Sequence, residues 1–276
     1  LGGLWGIGLI AMYHGGSLAP KDFQLALLAT VLGELIVATL VAINMASTAI
    51  SREREDGTLD LLTTTPITQS QYLTGKLRGL IAYLLPLLAV PIGTLLIAGV
   101  YVLSNALGTA GGPGGPIVSI PVTLSRSTTP ISVPLVLAEG GIIAALVIIP
   151  FMAFVVMLGL LSSLDSRGTL SSVVKTVAWV GVISGVVGLC SWNAAGNMSV
   201  FGAALGALSP ASLVFVTVHA EGLDEAIEQM GLEGARVALF VGAAVAAAVY
   251  IAIVYGIHAH MVRTFDQKVR KLAGAR

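Results

Sequence analysis

The sequence predicts an all-α polytopic membrane protein: six transmembrane helices, the first one truncated, with a re-entrant helical segment before the last span. Three observations predict it. Hydrophobic residues make up 56% of the 276 positions and charged residues 10%, against about 45–50% and about 25% in soluble domains. A soluble core of this length cannot hide so much apolar surface, and the mean hydropathy is +0.94. The apolar residues gather into runs of about 20 or more, the length a helix needs to cross roughly 30 Å of hydrocarbon. Lys and Arg concentrate in alternate connections between those runs. The formal net charge is +0, which offers no electrostatic footprint for nucleic acid.

In chain order, residues 1–13 are apolar but reach only about 20 Å as a helix. No basic segment precedes them, so they read as the end of a first span and not as a signal peptide. A short polar connection containing Gly15, Gly16 and Pro20 leads to the second span, residues 25–50, whose strongly polar members are Glu34 and Asn44. Residues 51–76 form a charged connection between spans two and three. Near its end Thr68 and Gln71 have the spacing of a capping box, and Ile67 with Tyr72 that of a hydrophobic staple. The third span, 77–103, contains Pro86 and Pro91, each expected to kink it. Residues 104–133 form an outer loop, glycine-rich and then rich in Ser, Thr and Pro. Its glycines are not a phosphate-binding loop, because no Gly-Lys-Ser/Thr follows.

Spans four and five occupy 134–161 and 173–192, joined by a polar turn with Asp165 and Arg167. Glu139 stands near the outer end of span four. Cys190, the single cysteine, lies in span five and reads as a small core residue. Residues 199–218 are apolar but broken at Ser209-Pro210. Residues 219–236 are acidic, either an amphipathic outer helix or a solvated loop. The last span, 237–257, runs into a basic tail, 258–276.

With the segment after span two placed in the cytoplasm, eleven of the fourteen Lys and Arg lie inside and three, Lys21, Arg126 and Arg236, outside. Both chain ends then point inward. The same bias makes 199–218 re-entrant. A full crossing there would put the acidic loop inside and the basic tail outside.

The densest charge in the chain is Ser51-Arg52-Glu53-Arg54-Glu55-Asp56-Gly57-Thr58-Leu59-Asp60-Leu61-Leu62. Pinned between two spans, it must lie in water at the bilayer surface. Gly57 and Pro66 bracket a helix too short to be stable alone. Leu59, Leu61 and Leu62 offer apolar contact to a soluble partner, and Arg52, Glu53, Arg54, Glu55, Asp56 and Asp60 a polar rim. The bland alternative is a solvated loop whose charges set topology only.

This run, followed by Thr65-Pro66-Ile67 and Gly75-Lys76 at the start of span three, resembles the hallmark of ABC-2 type transporter permeases. The resemblance implies the membrane subunit of an ATP-driven exporter in the plasma membrane of a prokaryote. It implies a homodimer, or a heterodimer with a related permease, in the lipid bilayer. It also implies a cytoplasmic ATP-binding cassette subunit that receives the short helix after span two. The chain has no Gly-x-x-x-x-Gly-Lys-Ser/Thr run, so ATP and magnesium belong to that partner subunit, and this chain is expected to hold no cofactor and to catalyse nothing itself.

Glu34 is the sharpest polar oddity, since a charge in mid-span costs about 2.5–3.5 kcal/mol on insertion scales. With Asn44 it is a candidate for the translocation path or the dimer seam; the bland reading is an acid satisfied by a neighbouring helix. An ion-coupled secondary transporter using Glu34 is the alternative function, and a membrane scaffold a third. His258 and His260 are two apart and do not share a helix face, so no metal site is expected.

Overall fold

In hydrocarbon a backbone must satisfy its own polar groups, and helices do this within one segment. The computed structural model describes residues 2–57, 68–106, 115, 117–124, 127–166, 168–197 and 202–272. The elements are α1 (Gly2–His14), α2 (Pro20–Thr48), α3 (Ser51–Glu55), α4 (Gln69–Ala106), β1 (Ile117–Leu124), β2 (Ser127–Pro134), α5 (Gly140–Asp165), α6 (Thr169–Asn197), α7 (Gly202–Gly206), α8 (Pro210–Val218), one 3₁₀ turn (Ala220–Leu223) and α9 (Asp224–Leu272). Five stretches are long and apolar enough to cross a membrane: Pro20–Glu55, Gln69–Ser104, Gly140–Asp165, Thr169–Ser191 and Met230–Phe265. The chain is a helical, multi-pass membrane protein.

Helix α4 passes through Pro86 and Pro91, and α5 through Pro150, without interruption of the helical assignment. Helix α9 instead bends at Gly231, whose φ of 72° and ψ of 168° are not helical. Residues 199–218 contain the expected break. Helices α7 and α8 flank Ala207–Ser209, and the Ser212 hydroxyl donates to Gly206 O (2.6 Å) and Ser209 O (3.1 Å), closing the corner.

Residues 117–134, expected to be mostly loop, hold more order than their composition suggested. Strands β1 and β2 form an antiparallel hairpin in register from Ile117 opposite Pro134 to Leu124 opposite Ser127. Pro121 faces Pro130 across it. Both strands of a two-stranded sheet are edges, which is where proline is tolerated.

The chain divides into two compact units. One comprises Leu1–Ile36, Leu88–Ile148 and Val186–Ala246; the other Val37–Leu87, Ile149–Gly185 and Ala247–Arg276. In the first, Phe23, Leu27 and Val31 repeat at helical spacing on α2 and are fully buried, with Leu95 of α4, Val147 of α5 and Leu213 of α8. Gln24 is buried among them at 3% exposure, and its amide donates to Leu135 O (2.8 Å) and Val218 O (3.2 Å). Leu137 N–H donates to Thr217 O at 3.0 Å, so α8 is tied to the segment preceding α5. In the second unit, Ala38, Ala42 and Ala46 make a buried stripe of small side chains on α2. Gly159 of α5 meets it so closely that a Cβ there would lie 2.5 Å from the Ala46 Cβ. Small residues permit this approach.

Helix α5 is the most enclosed span, with 61% of its apolar window buried, against 11% for α6. The exposure of α6 corrects the reading of Cys190: it lies on α6 and is exposed, because that helix has little of the chain packed around it.

Candidate functional site

The charged stretch grows out of the end of α2. Helix α3 follows α2 after Ala49 and Ile50 and has no side-chain cap of its own. The cap comes from α5. The fully buried Ser163 hydroxyl accepts the backbone N–H groups of Ile50 (3.1 Å) and Ser51 (2.8 Å), donors that a helix start otherwise leaves unpaired. The close contact at Gly159, one helical turn earlier, brings Ser163 within reach. Helix α3 stops at Gly57, whose φ of 71° is the left-handed conformation that glycine adopts at low cost and whose N–H donates to Arg54 O (3.1 Å).

Three of the five charged side chains of 52–56 turn back onto the membrane helices. Glu53 accepts the Tyr72 hydroxyl at 2.5 Å and forms an ion pair with Lys76, both on α4. Lys76 also donates to Ala49 O at 3.4 Å and lies 5.7 Å from the Tyr72 ring centroid. The Arg54 guanidinium donates to Ser166 O, just past the end of α5. Glu55 accepts the backbone N–H of Thr169, the first residue of α6, at 3.1 Å. Arg52, Glu55, Asp56 and Gly57 are exposed.

Around this knot α4 starts as its sequence indicates. Thr68 N–H donates to Gln71 Oε1 (3.0 Å), and Gln71 N–H to Thr68 Oγ1 (3.3 Å), a reciprocal capping box. Tyr72 meets Phe265 of α9 edge-on at 5.8 Å, and Thr74 Oγ1 is 3.2 Å from His258 Nε2. An open groove of about 440 Å³ runs beside Gln71, Tyr72, Gly75, Lys76, Gly79 and Leu80.

Of the sequence-predicted docking residues, the structure brings together Arg52, Glu53, Arg54, Glu55, Asp56 and Gly57. Thr58, Leu59, Asp60, Leu61, Leu62 and Pro66 lie outside the described residues, as do Ile67 of the staple and the helix expected after Gly57. Sequence reasoning missed Ser163 and Ser166 and gave Tyr72 only an apolar role. The signal was the serines of the polar turn after span four, Ser162, Ser163 and Ser166.

The two intramembrane candidates stand apart. Glu34 projects from α2 against Gly2 of α1 and Val90 of α4, in the first unit. Both its carboxylate oxygens are buried and without a hydrogen-bond partner among the described residues. Asn44 is exposed on α2; its backbone oxygen accepts the Thr48 hydroxyl at 2.8 Å.

Glu139 stands in the turn before α5, outside the membrane-spanning helix. Arg236 of α9 meets it through Nε (2.5 Å) and Nη2 (2.8 Å), and Arg236 also pairs with Glu233 at 2.9 Å. Burial would raise the Glu139 carboxyl, but the guanidinium and a local backbone hydrogen bond hold it below the ordinary carboxylate range. Among the described residues no group of three His, Cys, Asp or Glu side chains could hold a metal ion.

Comparison with protein-family models, with curated proteins and with solved structures returns no match.

Proposed function

We propose that the chain is the membrane-spanning permease subunit of an ATP-driven ABC-2 type exporter, working as a dimer with a cytoplasmic ATP-binding cassette subunit. The observation that carries the reading is the built form of the charged stretch. A solvated loop needs no internal bonds, whereas 51–57 is capped by Ser163 and bonded through Glu53, Arg54 and Glu55 to three other helical segments. It keeps Arg52 and Asp56 outward for a partner. Such a rigid knuckle is suited to receive force from a soluble subunit and pass it to several spans.

The proposed topology is six crossings, α1 to α6 and α9, with α3 continuing α2 and with α7 and α8 re-entrant. Helix α8, at nine residues, reaches about 14 Å, half of what a crossing needs. The bias of Lys and Arg, eleven against three, supports the proposed sidedness with both termini inside, and the membrane we propose is a prokaryotic plasma membrane. The exposed amide of Asn44 on a membrane helix favours a seam with a second permease copy, because lipid offers an amide no partner.

The purified chain alone should hydrolyse no ATP, and the complex with the ATP-binding subunit that co-purifies from its native membrane should. Robust hydrolysis by the contaminant-free chain would contradict the reading. Ion-coupled transport through Glu34 is the second reading, favoured by its unpartnered buried oxygens. It predicts that Glu34→Gln abolishes transport, while the ATP-driven reading predicts that ATP turnover by the complex survives.

A further inference from the structure

The docking reading treats residues 52–56 as one partner-facing patch, but their side chains divide into two sets. Arg52, Glu55 and Asp56 are exposed, Glu55 while accepting the Thr169 N–H, which leaves Arg52 and Asp56 for a partner. Glu53 is half-buried and faces α4, where one carboxylate meets two partners of different chemistry, the Lys76 ammonium and the Tyr72 hydroxyl. The pair is partly shielded from solvent, with side-chain exposures of 26% for Lys76 and 29% for Glu53. Shielding of that order leaves a charge pair stronger than a surface one. Tyr72 and Lys76 are four residues apart, one turn along the same face of α4. Tyr72 in turn rests on Phe265 of α9.

Resting on the proposed function, we infer that Glu53 is a positioning residue, a latch that makes α3 and the first turns of α4 move as one body. Helix α3 is covalently continuous with α2, and Arg54 and Glu55 join it to the α5–α6 corner. The Glu53 latch adds α4, the helix that re-enters the membrane after the charged stretch. Displacement of the knuckle by a partner at Arg52 and Asp56 then reaches α4 through Glu53 and Lys76. Without the latch the partner still binds, but its movement is lost in the free rotation of α3 against α4. Partner binding and energy coupling are thus carried by different residues of one short segment, Arg52–Asp56.

The test uses a nitroxide at Asp56→Cys in a Cys190→Ser background, with the chain in lipid nanodiscs. Glu53→Lys and Lys76→Glu each reverse one charge, and the double variant restores the pair in the opposite sense. The latch predicts a slow, immobilised spectrum for the parent, a sharpened mobile one for each single reversal, and recovery in the double variant. In the complex with the co-purified ATP-binding subunit, made without the Asp56→Cys label, each single reversal should retain the subunit but lower ATP turnover about tenfold, with most of it regained in the double variant, as expected of coupled charges. Unchanged spectra in the single variants, or a double variant no better than either, would overturn the latch. Failure of any ATP-binding subunit to co-purify with the unsubstituted chain would overturn the functional reading, and the spectra would still decide the latch. Monodispersity on size exclusion separates both results from misfolding.

Discussion

Gln24 shows how much a single polar side chain can organise in a membrane protein. Its one amide nitrogen serves two backbone carbonyls, Leu135 O and Val218 O, which lie in segments without regular partners for them. A buried carbonyl left unpaired costs about 1–3 kcal/mol. Gln24→Leu keeps the side-chain volume and removes the donor. It should lower stability by about that amount, read as a drop in thermal midpoint in detergent; an unchanged midpoint would show that the two carbonyls find other donors. Nothing in the sequence around Gln24 announces this role, because its partners are 111 and 194 residues away. Glu34 is the contrary case. An acid within an apolar run is visible at once, but its neighbours Gly2 and Val90 come from two other helices and are not.

At the scale of elements, local rules were legible and contacts across the chain were not. The capping box of Thr68 and Gln71 depends on a spacing of three, and it forms as that spacing indicates. The break at Ser209-Pro210 likewise follows from proline's missing N–H. The hairpin was not legible, because its proline-containing strands carry a loop composition and pair with each other across residues 125–126. The cap of α3 was hidden for a different reason: it arrives from Ser163, 112 residues away, through a close helix contact at Ala46 and Gly159. That contact can be tested. Gly159→Ala would place a methyl 2.5 Å from the Ala46 Cβ and should cost about 1–3 kcal/mol through overpacking. Gly181→Ala on α6, where a Cβ meets nothing within 4 Å, is the control and should be neutral. Equal effects of the two substitutions would mean that α2 and α5 do not pack as described.

For the whole molecule, composition alone established a multi-pass helical membrane protein, since no other arrangement accommodates runs of this length and hydropathy. Sidedness is the next level, and it rests on fourteen basic residues distributed eleven to three. Function adds the claim that the segment between the second and third crossings faces the cytosol and is gripped there. The most direct measurement is accessibility of a cysteine at Asp56→Cys, in the Cys190→Ser background, to a membrane-impermeant maleimide in right-side-out and inverted vesicles. The account predicts labelling from the cytoplasmic face only, and protection when the ATP-binding subunit is bound. Labelling from the outer face, or labelling indifferent to that subunit, would contradict it.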